Sequence, residues 1–292
     1  MRSLKLLLLF LIVWIIFAQS CMTFRKADSK MKSEFAEKGV ALTTDTKTID
    51  GRHIHYAKTG KDSFPTIYFI HGTPGSWDAF AGYLKDSQLL QQFRLISIDR
   101  PGFGYSDFGD AVNLQRQSEL ISPIFYMLDN KKPAYIVGHS LGGPMAIKLV
   151  ADNPGVFSGM VQLAGSNDPA AEKPEKWRPW LYKTPLNFLV PGAMRPSNEE
   201  LWYLKKDLVD LKADFPKINC DVYILHGNKD VLVPVSNVEY DKKMLTNAKS
   251  VKVILFPEEN HFIPWTQFGV VKELLIGLVN ANTQVKSTMS SQ

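Results

Sequence analysis

The sequence predicts an α/β fold: a mostly parallel sheet with helices on both faces and a helical cap inserted late in the chain. Three observations predict it. Short, nearly all-apolar segments such as "TIYFI" (66–70) and "AYIV" (134–137) lack the alternation of a half-exposed strand and read as strands covered on both faces. Segments of helical spacing stand between them, the pattern of strand–helix–strand units. One stretch, 165–215, breaks the rhythm. It is rich in Pro and Trp and too long for a plain connection, so it reads as a cap over the strand ends. A surface excursion without a role is the alternative. The chain has 292 residues, 45% of them apolar, enough for one sizeable core.

Arg2 and Lys5 make a positive start, followed by an unbroken apolar run of 13 residues, Leu6 to Ala18. A bilayer takes about 20 residues to span, and a run of this length is typical of a signal segment. "FAQSC" follows. It resembles the lipobox of bacterial lipoprotein signals, in which the cysteine, here Cys21, becomes the lipidated N-terminus; Ala18 stands where a leucine is usual. Residues 1–21 are therefore expected to export the chain, as a lipoprotein signal, an uncleaved anchor or a simple secretory signal. The expected location is outside the cell interior and held at a membrane. Residues 22–45 are polar and Lys-rich and read as a tether.

Residues 1–40 carry seven Lys/Arg against three Asp/Glu, so most of the net charge of +5 sits there. The body is nearly neutral. Nucleic-acid binding is not expected, and the basic segment suits an anionic lipid surface. Oligomeric state is not legible. Cys21 and Cys220 are the two cysteines. With Cys21 lipidated, Cys220 has no partner and reads as a small buried residue.

The domain proper is expected over 46–282. Asp50-Gly51 forms a hairpin turn, with His53 and His55 on the solvent side of the second arm. Strands follow at 66–70, 93–99, 134–137, 158–164, 222–225 and 251–256. Helices are expected at 77–90, 114–129, 141–152, 235–246 and 265–280, and a flexible tail at 283–292.

Gly138-His139-Ser140-Leu141-Gly142 fits G-x-S-x-G between a strand and a helix. A sharp turn there would lift the Ser140 hydroxyl clear of the sheet, with Gly138 and Gly142 letting backbone pass close by. A serine needs a base. Of six histidines, His71 and His226 end strands, His139 flanks the serine, and His53 and His55 lie on the hairpin. His261, between the last strand and the last helix, remains. Asp230 follows the preceding strand and can hold the imidazole. Backbone N–H groups of Thr73 and Leu141 are placed to receive an oxyanion.

Taken together, "FIHGTPGS", "DRPGFGYSD", "GHSLGG", "HGNKDVLVP" and "ENHFIPW" resemble the α/β-hydrolase fold superfamily over about residues 45–282. The resemblance implies a Ser140–His261–Asp230 triad, an oxyanion hole at Thr73 and Leu141, and an architectural role for the Asp99–Asp107 loop. A serine at the elbow favours acyl transfer over the alkyl transfer of family members that carry aspartate there. The expected activity is carboxylic ester hydrolysis of a small-molecule substrate, with no cofactor and no metal. Aminopeptidase activity of the proline-iminopeptidase type and carbon–carbon bond hydrolysis of diketones are the alternatives, with a non-catalytic binding protein behind them. Asp168, Glu172, Glu175, Glu199 and Glu200 are the acidic cap residues that could read a free amine. Trp177, Trp180 and Trp202 either line an acyl pocket or anchor the cap. Glu258 and Glu259 read as a solvated loop.

Overall fold

The computed structural model describes residues 2–20 and 22–289. Cys21 lies outside them. The chain opens with α1 (Arg2–Ser20) and α2 (Asp28–Ala36), then the hairpin β1 (Thr43–Ile49) and β2 (Arg52–Thr59). The alternation proper runs β3 (Thr66–Ile70), α3 (Ala81–Leu84), α4 (Ser87–Leu90), β4 (Arg94–Ile98), α5 (Leu114–Met127), β5 (Ala134–His139), α6 (Gly142–Asp152) and β6 (Phe157–Leu163). Next come α7 (Arg178–Tyr182), a 3₁₀ turn (Pro185–Leu189) and α8 (Met194–Leu211). The chain closes with β7 (Asp221–Gly227), α9 (Ser236–Met244), β8 (Ser250–Phe256), α10 (Ile263–Thr266) and α11 (Phe268–Met289).

The eight strands form one sheet in the order β1-β2-β4-β3-β5-β6-β7-β8. The β1–β2 and β2–β4 pairs are antiparallel and every pair from β4 to β8 is parallel. This is the α/β-hydrolase fold. The apolar runs behave as fully covered strands must. In β3, Tyr68 and Ile70 join the core beneath α5 and α6, and Ile67 and Phe69 join the core beneath α3 and α11. All their carboxyl ends open on one rim, where ligands bind in sheets of this kind.

Four expectations change. The helix expected over 77–90 is a 3₁₀ turn (Trp77–Phe80) and two short helices, because the Asp86 carboxylate accepts from Gln88 and Leu89 N–H and starts a new turn. Residues 22–45 are not a free tether. Met31 and Phe35 lie one helical turn apart on α2 and are buried against the sheet, with Phe35 edge-on to Trp77 at 6.4 Å. Docked α2 also covers His55, which is buried with the Asp28 carboxylate 3.3 Å away, whereas His53 is exposed as expected. At the other end, α11 continues to Met289 and takes in most of the segment read as a tail. Cys220 is buried, and burial pushes its thiol up to about 11.

Candidate active site

β5 ends at His139 and α6 begins at Gly142, so the chain reverses within two residues. Ser140 takes up the reversal with a φ of 57°, the left-handed region that costs a non-glycine residue free energy. Ser140 N–H donates to the Leu163 carbonyl at 3.0 Å, and its own carbonyl accepts from Gly143 N–H at 2.8 Å. The flanking glycines are sterically required. A Cβ on Gly138 would lie 2.1 Å from the Gly142 carbonyl oxygen, and one on Gly142 would lie 2.2 Å from that of Ile70. Ser140 thus stands at the rim of the sheet, on the wall of a cavity of about 550 Å³.

His261 shares that cavity. Its Nδ1–H donates to Asp230 Oδ2 at 2.7 Å, which leaves Nε2 as the basic nitrogen. Asp230 Oδ1 accepts from Leu232 and Val233 N–H at 2.9 and 2.8 Å. Burial raises the Asp230 pKa, but the His261 bond and the Val233 N–H outweigh it and hold the carboxyl below its ordinary range. The group therefore stays ionised and fixes the imidazole. No hydrogen bond joins the Ser140 hydroxyl to His261 in this structure. Such contacts are often long in unliganded hydrolases and tighten with substrate.

Thr73 and Leu141 also line the cavity. Neither backbone N–H is spent on an intramolecular acceptor among the described residues, so both are available to an anion.

Two supports were not legible in the sequence. His139 Nε2–H donates to the His261 carbonyl at 3.1 Å, and its ring packs on those of His261 and Trp265. Burial, with the neighbouring His261, drives its pKa down to about 3, so it is a neutral brace. The second support is Arg100, fully buried. It donates through Nε to the His71 carbonyl at 2.9 Å and through Nη2 to the Gly72 carbonyl at 3.0 Å. The same Nη2 donates to Glu200 Oε2 at 3.0 Å, and Nη1 reaches Oε1. Glu200 lies on α8, so this pair ties the cap to the strand end that carries Thr73. An arginine just past a strand end and a glutamate 100 residues later were the only signals in the sequence.

His71 is also buried and neutral: burial and then Arg100 drive its pKa well below the usual range. Its Nε2 accepts from Arg100 N–H, so Nδ1 carries the proton toward the Gly72 carbonyl. Asp99 is architectural. It is buried and accepts from Trp77 and Tyr105 N–H at 2.6 and 2.8 Å, and burial raises it to about 8.

In the cap, Glu200 is committed to Arg100, Glu175 to Arg178, and Asp168 to its own turn. Glu199 accepts from Tyr203 OH at 3.4 Å. Glu172 lines the cavity and accepts from Ser166 Oγ at 2.7 Å. Trp177 and Trp180 neither line the cavity nor anchor the cap. Both are exposed, because the short α7 presents them outward, and Trp202 is half-buried. Met194, Leu201 and Leu204 of α8 form the cap's apolar wall instead. Glu258 pairs with Lys229 at the surface and Glu259 accepts from Gln267. Among the described residues, no cluster of three or more His, Cys, Asp or Glu could hold a metal ion.

The sequence profile of the alpha/beta hydrolase fold matches residues 65–190. A pimeloyl-[acyl-carrier protein] methyl ester esterase from Nitrosomonas europaea is 25% identical, over 71% of this chain and 92% of its own length. The serine hydrolase BPHL of Mus musculus is 27% identical, over 76% of this chain and 81% of its own. Among solved structures, a bacterial membrane phospholipase A superposes with a TM-score of 0.60 at 18% identity, covering 96% of this chain and 98% of that one.

Proposed function

We propose, with a hydrolase of the α/β-hydrolase superfamily as the premise, that the chain cleaves a carboxylic ester through an acyl-enzyme. Ser140 is the nucleophile, His261 the base and Asp230 the acid that orients it. One observation carries this reading. A serine held at positive φ on a strand–helix turn opens on the same cavity as an imidazole already bonded to a buried carboxylate.

The Ser140 oxygen attacks the ester carbonyl as His261 Nε2 takes its proton. The tetrahedral oxyanion is held by Thr73 and Leu141 N–H, each donor contributing about 3 kcal/mol at the transition state. Asp230 stabilises the imidazolium. The proton then passes to the leaving alkoxide, and the alcohol departs from an acyl-Ser140 ester. Water, deprotonated by the same imidazole, attacks that ester. The carboxylic acid leaves and Ser140 recovers its proton. The esterase and serine hydrolase relatives support this reaction class. The commitment of Glu200 to Arg100 removes one of the acidic cap residues that an aminopeptidase reading would use.

The N-terminal segment attaches the domain to a membrane. α1 has 19 residues with a mean hydropathy of 2.1, long and apolar enough to cross a bilayer by length and composition. Arg2 and Lys5 would stay on the cytoplasmic side and put the domain across the membrane. The competing anchor is a lipid on Cys21, which requires cleavage ahead of that residue and loss of α1.

The test is labelling by a fluorophosphonate probe together with turnover of p-nitrophenyl butyrate. Both should be lost in Ser140→Ala, with turnover down by about 10⁴-fold or more. Ester turnover that persists in that variant would overturn the mechanism.

A further inference from the structure

Resting on the hydrolase and membrane-anchor readings above, we infer that the mouth of the catalytic cavity is pressed against the bilayer, and that the substrate is a single-chain acyl ester drawn from it. The argument begins with what holds α1 in place. Gly192 N–H donates to the Ala18 carbonyl at 2.7 Å and Ala193 N–H to the Met22 carbonyl at 2.9 Å. From the other side, Trp14 Nε1–H donates to the Leu189 carbonyl at 3.0 Å and the Gln19 amide to the Phe188 carbonyl at 2.8 Å. The end of the apolar helix is thus bonded to the edge of the cap, and the membrane that takes α1 must meet that edge.

Exposed residues of the cavity wall adjoin that edge. Phe24 lines it and is four residues past Ser20, at most about 14 Å of extended chain. Met194 lines it too and directly follows Ala193, which is bonded to Met22. Phe24 is 47% exposed, and Leu232, also in the wall, is 63% exposed. Phe262 and Trp265 complete a rim of exposed apolar side chains. Phe188, on the turn that contacts α1, is 59% exposed, and Trp180, on α7 packed against that turn, is 65% exposed. Exposed apolar side chains grouped around one opening and the adjoining cap edge mark an interaction surface. Lys26 and Lys183 are exposed near its border, the charge that anionic headgroups attract. Aromatic residues with basic neighbours are the composition of an interfacial face. The occupant is therefore the lipid surface that already holds α1. A cavity of about 550 Å³ with a mainly apolar lining accommodates one acyl chain, since sites of roughly 300–1,000 Å³ hold a single drug-sized ligand.

The test uses the full chain reconstituted in vesicles of phosphatidylcholine with a minor fraction of phosphatidylglycerol. Two esters are compared: p-nitrophenyl butyrate from solution, and monooleoylglycerol carried in the vesicle. The variant Trp180→Glu/Phe188→Glu changes side chains that do not line the cavity. Its p-nitrophenyl butyrate turnover should match the parent, and its monooleoylglycerol turnover should fall about tenfold as the charged face lifts from the lipid. Quenching by a bromine-labelled phosphatidylcholine gives a second readout, and the quenched emission should drop in Trp180→Phe. Equal monooleoylglycerol turnover in parent and variant, or quenching that Trp180→Phe leaves unchanged, overturns the proposal while the hydrolase reading stands. A parent that turns over neither ester overturns both.

Discussion

His139 shows how a neighbour of the nucleophile can matter without touching substrate. The hydrogen bond from its ring fixes the backbone of His261, and its burial keeps it neutral. In the unfolded chain a histidine titrates near 6.5, whereas in the folded chain His139 does so at about 3. Above about pH 6.5 neither state binds the proton, and the residue adds no pH dependence. As pH falls below that value the unfolded chain takes up a proton that the folded one refuses, so stability is lost until the folded pKa is reached. His139→Gln keeps a side-chain N–H donor and removes the titration. The stability of the parent relative to this variant should therefore fall by up to about 2 kcal/mol between pH 7 and about pH 5, read from urea unfolding at both values. A difference that does not move with pH would mean that His139 is solvated. The glycines around the elbow are the converse case. Gly142 has no room for a methyl group against the Ile70 carbonyl, a constraint of the turn itself and readable from the pattern.

A buried ion pair joins the cap to the end of β3, and its role can be separated from its contribution to stability. Arg100 holds the His71 and Gly72 carbonyls while Glu200 of α8 holds Arg100. Glu200→Gln leaves a buried guanidinium without its counter-charge, which typically costs about 3–5 kcal/mol. Replacing both partners, as in Arg100→Met/Glu200→Leu, removes the charges together and should restore most of that stability. Catalysis should not return with it. Without Arg100 the two carbonyls lose their fixed donors and the Thr73 amide loses its aim, so kcat should stay low while KM changes little. A double variant with parental kcat would reduce the pair to a structural strut. The parallel strands and the elbow were legible because apolar runs and glycine spacing act over a few residues. So was the imidazole–carboxylate pair, because each member sits just past a strand end. The Arg100–Glu200 tie was not legible, since its partners are 100 residues apart and surface ion pairs have the same composition. The short helices after β3 were hidden because one aspartate cap splits an otherwise regular helical pattern. The outward tryptophans of α7 were misjudged for a related reason: aromatic content indicates apolar contact but does not say that the rest of this chain supplies it.

For the whole molecule, the folded unit extends further toward the N-terminus than its composition suggests. The stretch after α1 is polar in content, yet Met31 and Phe35 belong to the core that α3 and α11 share with the sheet. Lys85 lies over the Phe35 ring and Arg25 over Tyr105, so the segment is gripped on both sides. Truncating a buried Met or Phe typically costs about 2–5 kcal/mol. Losing both is comparable to the ~5–15 kcal/mol that holds a typical domain together. Two truncations separate anchor from fold. A chain that starts at residue 23 loses α1 and its bonds to the cap edge, and its thermal midpoint should stay within a few degrees of the parent. A chain that starts at residue 40 loses α2 as well, uncovers Trp77 and His55, and should unfold well below it or fail to accumulate. Equal midpoints for the two would place the start of the cooperative unit at β1 and make α2 an appendage. Because Phe24 is retained by the first and lost from the second, p-nitrophenyl butyrate turnover gives an independent check. It should survive the loss of the anchor and not the loss of the segment that walls the cavity.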